Sequence, residues 1–432
     1  MHVRTLSAEL CGCVGSEVLL QGWVHRIRDF GGVRFVVLRD RAGLAQVVVP
    51  REVDLGGVNC EWVISASGHC RREARAPSGV EVHADRIEPI SPAQLPPIEV
   101  SNPNAATNTR LETILDHRAV SLRIPAALDV FRVQDVVLRA LRCHLRGQGF
   151  TEIVTPKLVF AGAEGGSAMF EVTYYDRSAY LTQSPQFYKQ MMVGSGLERV
   201  FEVGHAYRAE KSETSRHLAE FVSLDFEMGF IESEQDVMRM HTGLLAAIFG
   251  AVREHCGDVL ERRGLALPES DEIPQVSFPE AERILAEKFG KTSGLHGDLD
   301  TEGERLISQW AEQELGSKLL FVTGYHVDKR PMYTMPDADE PPLTRSFDLL
   351  FRGVEITTGG QRIHDYGQLV ESVRSRGLEP DDFEGYLEAF KHGICPHGGM
   401  GMGIERLLMQ VLGLSNVRQA SAFPRDRYRL VP

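Results

Sequence analysis

"FEVGHAYRAEKSETSRHLAEFVSLDFEMGF", residues 201–230, holds two alternating segments on either side of a strongly charged stretch. Apolar side chains recur at every second position, from Phe201 and Val203 in the first segment and from Val222 in the second. This period of two predicts an antiparallel hairpin with one apolar face. The opposite face then carries Arg208, Glu210, Phe221, Asp225 and Glu227. Such a polar face is most often simply solvated, so its meaning depends on the rest of the chain.

Length and composition are those of a globular chain with two or three domains. The 432 residues are 43% hydrophobic and 25% charged, with a net charge of -13. No apolar stretch reaches membrane-spanning length and the N-terminus lacks a signal-peptide pattern, so we expect a cytoplasmic protein without a membrane partner. The acidic balance argues against indiscriminate polyanion binding. Residues 21–75 nevertheless hold nine arginines against six acidic residues, which allows specific nucleic-acid binding there.

Residues 16–90 predict a small barrel. Five short strand-like runs are separated by turns without a long helix, as in an OB-fold. Barrels of this kind bind single-stranded nucleic acid, and Arg28, Phe35 and Gln46 could supply a cation, a stacking platform and an amide for an anticodon. Phe35 could equally belong to the barrel core. The Pro- and Asn-rich segment 91–104 predicts a linker between a barrel domain (1–100) and a second domain (105–432), giving an α+β protein.

A second hairpin is predicted in "RSFDLLFRGVEITTGGQR", residues 345–362. With Arg352 and Gly353 as a two-residue turn, Leu350 pairs with Glu355, and Asp348 projects to the same side as Glu355. Two neighbouring carboxylates repel each other unless a cation lies between them, and their hard oxygens beside phosphates suit Mg2+. The alternative is an exposed acidic pair without a metal.

The segment "HGGMGMGIERLLMQVLG", residues 397–413, predicts a glycine-rich turn followed by a helix. Ile404, Leu407 and Leu408 lie on the apolar face of this helix, whereas Arg406 lies off it in the first turn. A cation at the positive end of a helix dipole is misplaced unless an anion binds there. Taken alone, a glycine-rich turn is weak support for such a site.

Together these segments resemble motifs 2 and 3 of the class II aminoacyl-tRNA synthetases. Residues 118–160, a long helix and a strand ending at Thr155 and Pro156, resemble motif 1, which implies a homodimer formed around Pro156. A barrel ahead of this core is similar to the aspartyl, asparaginyl and lysyl subclass. The segments "EGGSAMF", "LTQSPQFYKQ", "GVEITTGGQRIHDY" and "FPRDRYRL" resemble those of the archaeal-type aspartyl-tRNA synthetases.

The resemblance implies roles for the charged residues of the predicted sheet. Arg208 would hold the ATP α-phosphate, with His217 and Arg406 at the γ-phosphate end. Phe221 would stack under adenine and Arg406 above it, while Glu210 would contact adenine or the tRNA end. Asp348 and Glu355 would hold Mg2+, with Glu355 also at the ATP site.

The choice of amino acid can also be argued from charge. Aspartate has two carboxylates and one ammonium, so its pocket needs two cations and an acid, which Lys189, Arg362 and Asp225 provide. Ser184 and Gln186 would add neutral contacts, and Glu164 would belong to a loop that closes over the substrate. A lysine site would place an acid where Lys189 stands, and an asparagine site needs no second cation. The alternatives are an asparaginyl-tRNA synthetase or an asparagine synthetase of the same fold, and a non-catalytic paralogue that binds RNA.

Two barrel residues bear on tRNA choice. Enzymes restricted to aspartate tRNA resemble this chain around "GWVHRIRDFGG" and "EARAPSGVEV", but carry Trp in place of His25 and Lys in place of Pro77. The resemblance therefore implies a relaxed enzyme that charges both tRNA(Asp) and tRNA(Asn). Neutral drift at the two positions is the alternative. The aspartyl-tRNA(Asn) product would require conversion by an amidotransferase.

Overall fold

The computed structural model describes residues 3–76, 78–102, 105–160, 169–209, 214–292 and 297–432. The chain forms two compact units, Met1–Leu128 with Pro432, and Asp129–Val431. Within the described ranges, no helix combines the length and the apolarity that a membrane span requires. The two units are described in turn.

The first unit contains the predicted barrel. Its five strands are β1 (Glu17–Asp29), β2 (Val33–Asp40), β3 (Gly43–Pro50), β4 (Val63–Arg72) and β5 (Val80–Ser91). They close in the order β1-β2-β3-β5-β4, which confirms the five-stranded barrel. Alternate side chains such as Leu20, Val36, Leu38 and Val47 fill the interior and are almost fully buried.

Residues 105–128 group with the barrel, whereas the predicted domain boundary lay at residue 104. Three short helices follow the barrel: α1 (Ala105–Asn108), α2 (Leu111–Asp116) and α3 (Arg118–Ser121). Ile98, Val100 and Ile114 belong to a small apolar cluster of their own. Arg123 also donates to the buried carboxylate of Glu61 at 2.8 Å. These contacts join the segment to the first unit, so the division between the units falls at Leu128.

The remaining elements form the second unit, and the first of them, α4, begins just before the boundary at Leu128. In chain order, they are α4 (Pro125–Gly147), β6 (Thr151–Glu152), β7 (Leu158–Val159), β8 (Glu171–Tyr174), β9 (Arg177–Leu181), α5 (Gln186–Met192), β10 (Arg199–Tyr207), β11 (Glu220–Gly229), α6 (Glu234–Arg262), β12 (Gln275–Ser277), α7 (Phe278–Phe289), α8 (Thr301–Glu314), β13 (Leu319–Thr323), β14 (Ser346–Phe351), β15 (Val354–Arg362), α9 (Tyr366–Ser375), α10 (Glu384–Lys391), β16 (His397–Gly403) and α11 (Ile404–Val411).

An eight-stranded sheet organises the second unit, in the order β12-β13-β14-β15-β16-β11-β10-β6. Both predicted hairpins lie in it. Ala206 pairs with Phe221 across β10 and β11, and Leu350 pairs with Glu355 across β14 and β15. Arg352 and Gly353 form the predicted two-residue turn with φ values of 49° and 82°.

One face of this sheet packs on helices and the other holds polar groups. Phe201, Phe226, Phe347 and Met402 join side chains from α4, α6 and α11 in the largest apolar cluster. The polar face is not solvated as such faces usually are. Asp225 and Glu227 are 3% and 0% exposed. Buried carboxylates require cations and hydrogen-bond donors, so the polar groups on this face are expected to pair with one another.

The predicted glycine-rich turn is wrong: residues 397–403 form β16, a central strand between β15 and β11. Close approach explains the glycines. A Cβ at Gly399 would lie 2.1 Å from the Phe226 carbonyl oxygen and 2.2 Å from Glu227 Oε2. Only glycine leaves room there for a buried carboxylate on the neighbouring strand.

Candidate active site

A cavity of about 630 Å³ opens on the polar face of the large sheet. This volume is within the usual range for small-molecule sites. It brings together sequence-predicted residues from five separate segments: Ser184, Gln186, Arg208, His217, Phe221, Asp225, Glu355, Arg362 and Arg406. Glu164 and Glu210 lie outside the described residues.

Four buried charges lie together beside the cavity, and two of them, Asp225 and Arg362, line it. Arg362 donates through Nε to Glu227 Oε1 at 2.9 Å and through a terminal nitrogen to the Gly399 carbonyl at 2.9 Å. Lys189 Nζ lies 3.3 Å from Asp225 Oδ1 and 3.3 Å from Glu227 Oε2. Burial alone would raise the pKa of Glu227, but Arg362 and Lys189 outweigh it and hold that pKa below its usual value. Two cations and two carboxylates therefore balance each other here.

The two predicted carboxylate-binding cations differ in position. Arg362 lines the cavity, whereas the described residues that line it do not include Lys189. Lys189 is 1% exposed, and its ammonium also donates to the Met400 carbonyl at 2.9 Å. Its position fits a residue that fixes Asp225 and Glu227 better than one that contacts a substrate.

The predicted nucleotide-binding residues Arg208, His217 and Phe221 also line the cavity. The Arg208 guanidinium is 5.6 Å from the centre of the Phe221 ring. His217 Nδ1 is 2.6 Å from Thr214 Oγ1. Gln186, which was predicted to contact aspartate, lines the cavity as well, and its buried Nε2 has no hydrogen-bond partner among the described residues. A buried donor without a partner is typical of a ligand-binding position.

Arg406 connects to the hairpin that carries Glu355. Its terminal nitrogen donates to the Glu355 main-chain carbonyl at 2.9 Å and lies 3.6 Å from the Glu355 carboxylate. Its Nε donates to the carbonyl of Arg216 at 3.2 Å. Arg216 in turn pairs with Glu304 at 2.6 Å. Burial raises the pKa of Glu304 to about 7, aided by the nearby charge of Glu355 and opposed by Arg216.

The predicted metal pair has neighbours that the sequence did not reveal. Arg330 binds Asp348 with both terminal nitrogens, at 3.0 and 2.7 Å. Thr358 donates to Asp348 and lies 3.3 Å from Glu355 Oε1. The two carboxylates thus share one hydroxyl group, and Asp348 already has an internal cation. No group of three or more acidic, histidine or cysteine ligands occurs among the described residues.

The predicted anticodon residues share one outer face of the barrel. Arg28 lies opposite Phe35 on the neighbouring strand. Gln46 lies opposite Val37, which is two residues from Phe35 and therefore on the same face. Phe35 points outward because Val36 and Leu38 point into the barrel core, so the core alternative is wrong. The half-buried Phe35 ring stands edge-on to Phe30, which is 69% exposed.

Gln46 and His25 are held by buried partners. Gln46 Nε2 donates to Glu81 at 2.9 Å. His25 is only 8% exposed, and its Nδ1 lies 3.1 Å from Arg39, which pairs with Glu61. Burial and then Arg39 lower the pKa of His25. His25 is therefore held inside the barrel wall by Arg39 rather than displayed on the surface. Pro77 lies outside the described residues.

Comparison with known proteins matches both units. The family "tRNA synthetases class II (D, K and N)" matches residues 110–427, and an OB-fold nucleic acid binding domain matches residues 18–90. The chain belongs to this class II synthetase family, whose members are aminoacyl-tRNA ligases.

Individual relatives cover the full length. The aspartate--tRNA(Asp/Asn) ligase of Thermus thermophilus is 47% identical over 100% of both chains. The aspartate--tRNA(Asp) ligase of Pyrococcus abyssi is 40% identical over 97% of each. The solved asparaginyl-tRNA synthetase of Pyrococcus horikoshii, in complex with asparaginyl-adenylate, is 31% identical with a TM-score of 0.94 over 100% of both chains.

Sequence reasoning missed four residues of the site: Glu227, Arg216, Arg330 and Thr358. Glu227 was placed on the correct face, and its spacing of two from Asp225 could have suggested a shared role. Arg216 directly precedes His217 and could have been considered with it. Thr358 lies in the predicted hairpin, but a register shift between Leu349 and Leu350 is what places it opposite Asp348. Arg330 comes from a distant segment, for which a single sequence carries no local signal.

Proposed function

We propose that the chain attaches L-aspartate to tRNA(Asp), and also to tRNA(Asn), through an aspartyl-adenylate intermediate. The observation that carries the proposal is Arg362, a guanidinium that lines the cavity and is held in place by Glu227 and a main-chain carbonyl. Such a fixed fork suits a carboxylate better than an amide. Asp225 lines the same cavity and supplies the acid for the substrate ammonium.

The reaction proceeds in two steps. An oxygen of the aspartate α-carboxylate attacks the α-phosphorus of ATP. The bond between the α-phosphorus and the oxygen that bridges it to the β-phosphate breaks, and pyrophosphate leaves. The 3′-hydroxyl of the terminal tRNA adenosine then takes the aspartyl group and releases AMP. Arg208 holds the α-phosphate, Phe221 carries the adenine, and His217 and Arg406 meet the γ-phosphate end. This is catalysis by positioning and charge stabilisation, without a protein nucleophile.

The residues present fit a magnesium ion. Mg2+ is commonly bound by one or two carboxylates together with substrate phosphates, and Asp348, Glu355 and the Thr358 hydroxyl offer oxygen donors of this kind. When bound, the ion would neutralise charge on the phosphates. Arg330 orients Asp348 through two parallel hydrogen bonds.

ATP–pyrophosphate exchange driven by aspartate, asparagine or lysine tests the proposal. We expect exchange with aspartate alone. Exchange with asparagine instead would identify an asparaginyl enzyme, the activity named for the solved Pyrococcus horikoshii relative. The absence of exchange with all three amino acids, together with retained RNA binding, would identify a non-catalytic paralogue.

Wild-type enzyme is expected to charge tRNA(Asp) and tRNA(Asn) comparably, and the double variant His25→Trp/Pro77→Lys to lose tRNA(Asn). The third anticodon bases, cytosine and uracil, present opposite hydrogen-bonding groups, so one well-made contact distinguishes them by about 1–3 kcal/mol. Proline offers no side-chain donor. Aspartylation of each purified tRNA measures the ratio. His69→Trp, at an exposed barrel position, is the control and should keep both activities. Wild-type charging of tRNA(Asp) alone would contradict the relaxed specificity.

A homodimer formed around Pro156 is supported by the apolar surface on both sides of it. Val154, Leu158 and Phe160 are 93%, 46% and 73% exposed. Adjacent exposed apolar groups of this size mark an interaction surface. Val154→Asp should therefore convert a dimer into a monomer in sedimentation velocity, whereas Val3→Asp, in the barrel unit, should leave twice the 48.1 kDa chain mass. A monomeric wild type at micromolar concentration would contradict the assignment.

A further inference from the structure

Glu304 is a buried carboxylate in a region to which the sequence assigns no role. It lies in the first turn of α8, within residues 231–345, and its side chain is 13% exposed. The sequence between the two hairpins reads only as helices and loops. A carboxylate buried to this degree needs partners that justify its desolvation.

Among the described residues, the side chain of Glu304 has two hydrogen-bond partners, Arg216 and Glu355, and both line the cavity. Its Oε2 accepts from a terminal nitrogen of Arg216 at 2.6 Å and from the main-chain nitrogen of Glu355 at 3.3 Å. The other terminal nitrogen of Arg216 donates to the Thr301 carbonyl at 3.3 Å. The first turn of α8 therefore accepts two hydrogen bonds from the Arg216 guanidinium. Charge-assisted hydrogen bonds of this kind are short and directional.

Arg216 is itself tied to the proposed ATP-binding groups. Arg216 lines the cavity, and its main-chain carbonyl accepts a hydrogen bond from Arg406 Nε at 3.2 Å. Arg406 also donates to the Glu355 carbonyl at 2.9 Å. One carboxylate thus connects the loop between β10 and β11, the start of β15 and, through them, the arginine of α11.

Complementing the helix dipole is the ordinary role of an acid in a first helical turn. Glu302 in the same turn fits that role: its side chain is 62% exposed and pairs with Lys291 at 3.0 Å. Glu304 differs from it in burial and in its contacts with distant segments. The dipole would be served equally by an exposed carboxylate, so it does not account for these contacts.

We propose that Glu304 is a positioning residue for ATP: it holds Arg216 and the start of β15 in the arrangement that receives the triphosphate. This inference rests on the proposed function for the identity of the ligand. Among the described residues, those that line the cavity include Arg216 and Glu355 but not Glu304, so Glu304 would act through them. Its loss should weaken ATP binding and leave aspartate binding unchanged, because Arg362 is held by Glu227 and Gly399 instead.

Glu304→Ala and the isosteric Glu304→Gln test the proposal in the full-length protein. In aspartate-dependent exchange, we expect the KM for ATP to rise by about tenfold or more in Glu304→Ala, by less in Glu304→Gln, and the KM for aspartate to stay within about twofold. Titration calorimetry with ATP and Mg2+, without amino acid, should show the same order of affinities. Glu302→Ala is the matched control and should behave as wild type. If Glu304→Ala fails to fold, Glu304→Gln gives the comparison.

A double-mutant cycle with Arg216→Gln separates positioning from a general structural role. Because Glu304 holds the start of β15 as well as Arg216, the loss of ATP affinity in the double variant should be smaller than the sum of the two single losses. Additive losses, or an unchanged affinity for ATP in both Glu304 variants, would overturn the proposal. A wild type without aspartate-dependent exchange would overturn the proposed function instead, and the ATP titrations would still decide the role of Glu304.

Discussion

Glu355→Gln should abolish formation of aspartyl-adenylate, with a loss of exchange rate of at least about 100-fold. The carboxylate is proposed to hold Mg2+ with Asp348, and glutamine removes the charge while keeping the shape. Glu355 is one-third exposed, so its neutralisation should leave the fold and tRNA binding intact. Exchange rates over a range of Mg2+ concentrations, together with Mn2+ binding followed by electron paramagnetic resonance, measure the effect. Glu312→Gln, which neutralises an exposed carboxylate of α8, is the control.

Asp348→Asn should have the same effect on adenylate formation, but the structure adds a second consequence. Arg330 is buried against Asp348 in a bidentate pair, so neutralising Asp348 leaves a buried guanidinium without its counter-charge. Removing one partner of a buried pair typically lowers stability by about 3–5 kcal/mol. Glu355→Gln should therefore keep the wild-type fold stability, whereas Asp348→Asn should lower it. If Glu355→Gln unfolds the protein and the metal dependence stays unchanged, the pair is structural.

The parts of the fold that the sequence predicted correctly rest on local patterns. Both hairpins follow from the alternation of apolar and polar residues, and the turn at Arg352 and Gly353 follows from the conformational preference of a two-residue connection. The barrel follows from five such alternating runs. The resemblance to class II synthetases then indicated which polar positions would converge, and the cavity brings nine of them together.

Local patterns failed where tertiary packing decides. Residues 397–403 have the composition of a turn, yet glycine is required there because a neighbouring strand carries a buried carboxylate. Similarly, Glu304 reads as an ordinary acid of a first helical turn, while its partner Arg216 lies 88 residues away. Lys189 reads as a free cation in sequence, whereas two carboxylates surround it in the fold.

Arg362→Lys should lower kcat/KM for aspartate in the exchange assay by about 30-fold or more. This factor corresponds to a loss of about 2 kcal/mol in transition-state stabilisation. Lysine keeps the positive charge but loses the planar fork. In the wild type, two nitrogens of this fork hold Glu227 and Gly399 while the side chain lines the cavity. The lysine ammonium has a single nitrogen. It cannot hold Glu227 and Gly399 and at the same time offer another nitrogen to the substrate carboxylate. The KM for ATP should change little. Arg352→Lys, in the turn of the same hairpin, is the control because the Arg352 guanidinium donates to the main-chain carbonyls of Gln410 and Ala266.

Lys189→Met separates a direct role in binding from a supporting one. If Lys189 fixes Asp225 and Glu227, as its burial suggests, methionine leaves two buried carboxylates with one cation, and the protein should be destabilised by about 3–5 kcal/mol in chemical denaturation. A folded Lys189→Met with wild-type stability and a selective loss of aspartate affinity would instead establish direct contact with the substrate. Near-normal exchange in both Arg362→Lys and Lys189→Met would contradict the proposed aspartate site. The site was assigned because aspartate has two carboxylates, and neither proposed cation would then contribute to binding them.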